Sequence, residues 1–476
     1  MSATTGSTRR RFSSSATPKS APRIARTPNR STGRIAILPA DVHRVLARRM
    51  LIDGFEFVVD LRKSRGCRIV DAISGKSYLD FFSFFASSAV GMNHPKLTEE
   101  TFLRELGRAA VNKPSNSDAF TVELAEFVDT FSRVLQPDYL PHLFFIDGGA
   151  LAVENAVKTA FDWKVRKNFR KGYREERGQQ IIHFRRAFHG RSGYTLSMTN
   201  TDPVKTDYFP KFAWPRIHNP AVRFPLTEEH LAEAMKEEEL ALRQIREAIA
   251  KNPDDIAGLI IEPIQAEGGD NHFRKEFFGA LRQVCDESDI LLIFDEVQTG
   301  VGLTGKMWAH EYFVRPDIMA FGKKTHVCGC MAGSRVDEAE ENVFQKRGRI
   351  NSTFGGNLVD MVRFRRIMEI IAEERLVENA AVNGQLLLEE LSGLAGEFPS
   401  MVGNVRGRGL MCAMDLESPG LRDELRRKAY AMGLIIIGCG ERTIRFRPPL
   451  IVAKGEVQEG ISIIRSALEV LSTEHT

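Results

Sequence analysis

The chain has 476 residues, 43% of them hydrophobic and 27% charged, enough apolar material for a large buried core and more than one domain. It contains no run of about 18 uncharged apolar residues, the length a membrane-spanning helix needs. The net charge of +4 is unevenly spread, because residues 1–34 carry eight basic residues and no acid. Beyond them 58 basic residues face 62 acidic ones, a net charge of −4 that gives no electrostatic reason to bind nucleic acid.

Residues 1–34 are rich in Ser, Thr and Pro and almost free of large apolar side chains. Such a segment cannot bury enough surface to offset its ordering entropy, and it is expected to be a disordered basic tail. Its composition is compatible with a transit peptide or a polyanion-binding arm. It lacks an amphipathic apolar face, which favours an extension with neither role. Six cysteines (Cys67, Cys285, Cys328, Cys330, Cys412 and Cys439) show no CxxC spacing. They are expected to be reduced, mostly buried thiols in a cytoplasmic setting. Cys328-Gly329-Cys330 has no His or Cys pair at ligand spacing nearby, so no metal is expected.

In chain order, residues 55–79 read as a small hairpin-rich unit turning at Asp71-Ala72-Ile73-Ser74-Gly75. From Leu143 onward, short β-like runs alternate with longer helical patterns, the signature of an α/β fold with a mostly parallel sheet. Strands are expected at 143–146, 180–184, 257–261, 290–294 and 318–321, and a long helix at 150–167. Two helices near 359–372 and 384–394 precede strand-like runs at 410–416, 433–437 and 443–446 and a final helix at 454–471. The expected organisation is a large domain over 95–358 beside a smaller α+β domain built from both chain ends, 35–94 and 359–476.

In open α/β sheets, ligands bind beyond the carboxyl ends of the strands. The first central strand runs into Asp147-Gly148-Gly149-Ala150 and a helix start, whose free N–H groups suit an anion or simply make a turn. The second leads to Phe188-His189-Gly190-Arg191, with a ring that stacks on a planar group or joins the core, and a guanidinium suited to a carboxylate. The fourth ends in Asp295, either a cap for the next turn or the partner of a buried positive charge. The fifth ends in Lys323-Lys324, where one amine is a nucleophile or both are solvated charges.

These segments occur in the order and spacing of a known family. Gly148-Gly149-Ala150, Glu154-Asn155-Ala156, Phe188-His189-Gly190-Arg191, Glu262-Pro263-Ile264-Gln265, Asp295-Glu296-Val297-Gln298-Thr299-Gly300, Pro316-Asp317-Ile318 and Arg445-Phe446-Arg447-Pro448-Pro449-Leu450 follow one another along the chain. From about residue 35 onward the chain resembles the class III, fold-type I aminotransferases, a family that includes ornithine, 4-aminobutyrate and acetylornithine aminotransferases. Within it, Phe84–Asn93, Gly322–Thr325, Gln265–Asp270 and Asn351–Asn357 resemble the group that acts on the ε-amino group of L-lysine.

The resemblance implies pyridoxal 5′-phosphate (PLP) held as a Schiff base by Lys323. Lys324 is the rival, and the family's spacing of six residues after Asp317 points to Lys323. It implies further that Asp295 holds the pyridinium, Gln298 bonds near the phenolic oxygen, and Phe188 stacks on the ring. Gly149 and Ala150 would bind the phosphate, with Thr353 reaching it from the other subunit of a homodimer. Arg191, Glu267, Arg445 and Asn351 would serve the substrates, L-lysine and 2-oxoglutarate. Arg191 would take the distant lysine carboxylate and Arg445 the α-carboxylate of 2-oxoglutarate, with Glu267 covering Arg445 in between. Another ω-amino donor (ornithine, 4-aminobutyrate or a further diamine) is the alternative, and a non-catalytic relative is disfavoured by the presence of the lysine, the aspartate and the phosphate turn. Thr325-His326-Val327-Cys328-Gly329 departs from the Gly-Gly pair of many relatives, which bears on substrate choice.

Overall fold

The computed structural model describes residues 36–474, so the basic tail expected over 1–34 lies outside the described residues. The described residues up to Gly54 belong to one unit and include the short helical turns Pro39–Asp41 and Val42–Leu46. The second unit begins at Phe55 and contains every sheet found among the described residues.

The expected hairpin is present as β1 (Arg68–Val70) and β2 (Ser77–Asp80), antiparallel with Val70 opposite Ser77. The turn between them is organised by Asp71, whose carboxylate accepts from the Ile73 and Ser74 N–H groups at 3.1 and 3.0 Å.

The central sheet contains β3 (His142–Ile146), β4 (Gln180–Phe184), β5 (Arg216–Ile217), β6 (Ile256–Ile261), β7 (Leu291–Asp295), β8 (Ile318–Phe321) and β9 (Cys328–Ala332). Their order is β3-β9-β8-β7-β6-β4-β5, and all run parallel except β9. The five expected strands lie within one residue of their expected bounds. No strand is expected at Cys328–Ala332, because a central glycine weakens a strand pattern. Here the glycine is required by a close approach: a Cβ on Gly329 would stand 2.0 Å from the Phe144 carbonyl oxygen.

Both faces of this sheet are covered, which explains its continuous apolar runs. Leu291, Ile293, Ile260 and Ala320 pack against Val153, Val157, Ala160 and Trp163 of the helix Gly149–Arg170. The alternate residues Leu292, Phe294, Leu259 and Ile261 pack on the other face, against Phe277, Leu281 and Val284 of Lys275–Glu287 and Ala241 and Ile245 of Glu228–Lys251. Adjacent side chains of one strand thus enter two separate cores.

Toward the carboxyl end, β10 (Val402–Arg408) and β11 (Met411–Leu416) precede the helix Pro419–Ala431, and β12 (Leu434–Ile435), β13 (Ile437–Cys439) and β14 (Thr443–Phe446) follow it. Four of them form an antiparallel sheet in the order β10-β11-β14-β13. The run expected as one strand over 433–437 changes partners at Ile436. Its first part, β12, pairs in parallel with β2, with Leu434 opposite Leu79. The helices Leu358–Glu373 and Leu376–Glu397 extend beyond their expected bounds, and Lys454–Glu474 closes the described chain.

Candidate active site

Because β3, β4, β6, β7 and β8 run parallel, their carboxyl ends share one edge of the sheet. A cavity of about 370 Å³ opens there. Lys323, Asp295, Gln298, Phe188, Gly149 and Ala150 all line it, as do Arg191 and Glu267.

The two adjacent lysines are separated by the backbone. After β8, Lys323 takes φ 53° and starts a short 3-10 turn, Lys323–Thr325. Lys323 lines the cavity; Lys324 does not. The Lys324 amine points to the Gln298 carbonyl oxygen, 3.4 Å away, and the residue is 2% exposed. Burial holds the Lys323 amine below the usual lysine range; Asp295 opposes the shift and Arg445 adds to it. Lys324 is depressed further by burial, with Arg447 and Lys323 as neighbouring cations.

Asp295 and Glu296 sit side by side at the end of β7 with separate tasks. Glu296 accepts from the Ala309 and His310 N–H groups at 2.8 and 2.7 Å and so organises the following turn. Asp295 divides its two oxygens: Oδ1 accepts from the Val297 N–H at 3.0 Å, and Oδ2 meets His189 Nδ1 at 2.7 Å. No helix begins directly after β7, so Asp295 caps a turn and not a helix, while its other oxygen meets the buried imidazole. Burial disfavours a charged His189, yet Asp295 outweighs it and raises the imidazole above its usual range. Glu262, next to this pair, is pushed up to about 7 by burial, with His189 opposing. Its oxygens accept from the Phe188 and Ala266 N–H groups at 2.9 and 3.2 Å, which fixes the backbone under Phe188.

At the opposite end of the cavity the helix Gly149–Arg170 begins behind Gly148, at φ 95°, with no side-chain cap on its first N–H groups. The loop holding Phe188 and Arg191 closes directly on this helix end. A Cβ on Gly190 would lie 2.5 Å from that of Ala150. Glu154 pins the same loop, accepting from the Ser192 hydroxyl and the Tyr194 N–H, both at 2.8 Å.

Arg445, on β14, is 1% exposed and donates from Nη2 to Glu267 Oε2 at 2.7 Å. Its Nε and Nη1 have no partner among the described residues. Its guanidinium lies over the Phe85 ring, 5.8 Å from the centroid. Phe85 belongs to Ser83–Ala86, four consecutive residues with positive φ, a conformation that side-chain sterics disfavour and that surrounding structure must hold. Deeper in, Arg447 pairs with Asp270 at 2.5 Å, both fully buried, and its Nε approaches Gln298 Oε1 at 3.3 Å.

Four residues in this assembly escape sequence reasoning: His189 and Lys205 as partners of Asp295 and Glu267, and the buried Asp270–Arg447 pair behind Gln298. The strand-end pattern flags neither Lys205, the last residue of the 3-10 turn Pro203–Lys205, nor ion pairs formed across the sheet. Asn351 and Thr353 lie exposed and outside the cavity of their own chain. The Asn351 side chain accepts from the Ser352 N–H at 2.8 Å.

The residues present fit PLP. An uncapped helix start suits its phosphate. A buried carboxylate at Asp295 suits a protonated ring nitrogen, and a cavity-lining lysine suits its aldehyde.

Comparison with known proteins agrees with this geometry. The family model for aminotransferase class III matches residues 53–468. The L-lysine-epsilon aminotransferase of Mycobacterium tuberculosis (strain ATCC 25618 / H37Rv) is 56% identical over 436 residues, 91% of this chain and 96% of that protein. Its counterpart from Streptomyces clavuligerus is 48% identical over 91% of this chain and 95% of its own length. A solved structure of lysine aminotransferase from M. tuberculosis superimposes with a TM-score of 0.89 at 55% identity, covering 91% of this chain and 100% of that one. The chain belongs to the class III aminotransferases and has their fold-type I architecture and their PLP cofactor.

Proposed function

We propose that this enzyme transfers the ε-amino group of L-lysine to 2-oxoglutarate, giving 2-aminoadipate 6-semialdehyde and L-glutamate. The observation that carries the reading is a pair of guanidinium groups, one lining the cavity and one behind the cavity-lining Glu267. Arg191 lines the cavity and is exposed, whereas Arg445 is buried behind Glu267. A lysine reacting at its ε-nitrogen presents its charged carboxylate several carbons away, where Arg191 receives it. Its unbranched reacting end has no carboxylate for Arg445, and Glu267 neutralises that cation meanwhile. When 2-oxoglutarate arrives, its α-carboxylate lies beside the reacting carbon and takes the place of Glu267 on Arg445, where Nε and Nη1 stand unpartnered. The identity to L-lysine-epsilon aminotransferases supports this donor over ornithine or 4-aminobutyrate.

Bound PLP supplies the electron sink that lets a C–H bond beside the amine ionise. The chain's own residues do the rest. Lys323 would hold the cofactor, and its Nζ, held by burial below the usual lysine range, would take the proton from the donor's Cε. Asp295 compensates the ring nitrogen, and Gln298, braced by Arg447, directs its amide toward the phenolic oxygen. Phe188 covers one face of the ring, and the Gly149 and Ala150 N–H groups bind the phosphate. Thr353, exposed on its own chain, completes the phosphate site of the second subunit in a homodimer. The six buried free cysteines support a reducing, cytoplasmic setting. Among the described residues no helix is long and apolar enough to cross a membrane.

A donor panel with the purified holoenzyme and 2-oxoglutarate, read as glutamate formed, tests the assignment. L-lysine should give the highest kcat/KM; a clear preference for ornithine or 4-aminobutyrate would refute it.

A further inference from the structure

Glu267 is held at both oxygens. While Oε2 faces Arg445, Oε1 accepts from Lys205 Nζ at 2.6 Å. Burial works against a charged Glu267, yet Arg445 and Lys205 together keep its carboxyl below the usual range. Lys205 stands on a different side of the carboxylate from Arg445. It lines an outer cleft of about 1000 Å³ that Glu267 also borders, and it is absent from the lining of the inner cavity. Its amine lies 5.7 Å from the centre of the Phe188 ring. No other carboxylate is recorded within ion-pair distance of Lys205 among the described residues.

We infer that Lys205 is the positioning residue that receives Glu267 when a carboxylate substrate displaces it from Arg445. A carboxylate leaving one buried cation needs another, because an unpaired charge in a half-buried position is costly. Lys205 already holds one oxygen, so Glu267 can turn toward the outer cleft without losing its charge compensation. Arg445 is then free for the dicarboxylate acceptor, and Glu267 remains poised to return. Lys205 thus serves the acceptor half of the reaction, while the donor half, with Glu267 left on Arg445, makes no demand on it. The inference rests on the proposed exchange of Glu267 for substrate at Arg445.

The test measures the two half-reactions separately in holoenzyme carrying Lys205→Met, Lys205→Gln or Lys205→Arg. In the two neutral variants the acceptor half should lose about tenfold or more in kcat/KM, mostly through a higher KM for 2-oxoglutarate. The donor half should stay within about threefold of wild type, and Lys205→Arg should restore most of the acceptor half. In a Glu267→Ala background, Lys205→Met should cost nothing further, because the partner it serves is gone. Equal losses in both halves, an unchanged acceptor KM, no rescue by arginine, or an undiminished loss in the Glu267→Ala background would each overturn the assignment. Lys205→Gln keeps a polar head, so the measurement stands if the methionine variant does not fold. The acceptor half begins from enzyme charged by any amine that reacts. A wild-type enzyme inactive with L-lysine but active with another donor would therefore refute the donor assignment and leave this test intact.

Discussion

Arg445 donates from Nη2 to Glu267 across 2.7 Å while its Nε and Nη1 find no partner among the described residues. A buried guanidinium so incompletely satisfied has donors to spare for a second carboxylate, since Glu267 occupies only part of it. Replacing Glu267 by alanine should leave Arg445 exposed to the unbranched donor. The donor half-reaction should fall about 10–100-fold and the 2-oxoglutarate half much less, as single-turnover kinetics of each half would show. Equal losses would contradict the exchange at Arg445.

The contact between His189 and Asp295, at 2.7 Å, orients the carboxylate proposed to face the ring nitrogen. His189→Leu should keep the cofactor but lose its grip on Oδ2, lowering kcat about 10–100-fold, the usual cost of removing such an outer support. Asp295→Ala should cost more, about 10³-fold or beyond, because the ring nitrogen then lacks its counter-charge. A His189→Leu enzyme with wild-type kcat would remove the imidazole from the account.

Gly190 has φ 124°, and an added Cβ would meet Ala150 at 2.5 Å and the Thr195 hydroxyl oxygen at 2.8 Å. Gly190→Ala should push the Phe188 loop off the start of the helix Gly149–Arg170, the proposed phosphate site. The expected result is about tenfold or weaker PLP retention, measured by dialysis and re-titration, with the fold preserved. Retention equal to wild type would show that the loop yields without disturbing the helix end.

Two histidines report on acid stability. Burial pushes His183 down to about 3 and His326 down to about 4, with Arg216 and Arg363 as the next contributors. Unfolded histidine protonates near about pH 6.5, so the unfolded chain binds protons that the folded one refuses. Stability from these sites is complete above about pH 6.5 and is lost as pH falls from there toward the folded values. Between about pH 7 and about pH 5 the denaturation midpoint of His183→Gln should drop less than that of wild type. An identical drop would mean that His183 is not held neutral.

The parallel strands were legible because burial on both faces writes them as unbroken apolar runs. β6 and β7 are examples. Cys328–Ala332 was not, since its glycine answers to the Phe144 carbonyl, a contact far away in sequence. The cavity's lining was legible where residues follow directly on strand ends, as at Asp295 and Lys323. The pairings of Lys205 with Glu267 and of Asp270 with Arg447 were hidden because they form across the fold, from short segments whose sequence has no periodicity. Spacing alone separated Lys323 from its neighbour. The structure adds the reason the pair divides: a positive φ at Lys323 turns the next amine away to the Gln298 carbonyl.

The most direct test of the site is to fix the bound cofactor with borohydride and map the labelled peptide, in wild type and in Lys323→Ala and Lys324→Ala. The label should fall on Lys323, Lys323→Ala should lose both label and activity, and Lys324→Ala should keep the label. A label on Lys324, or a Lys323→Ala protein that is still labelled, would contradict the assignment.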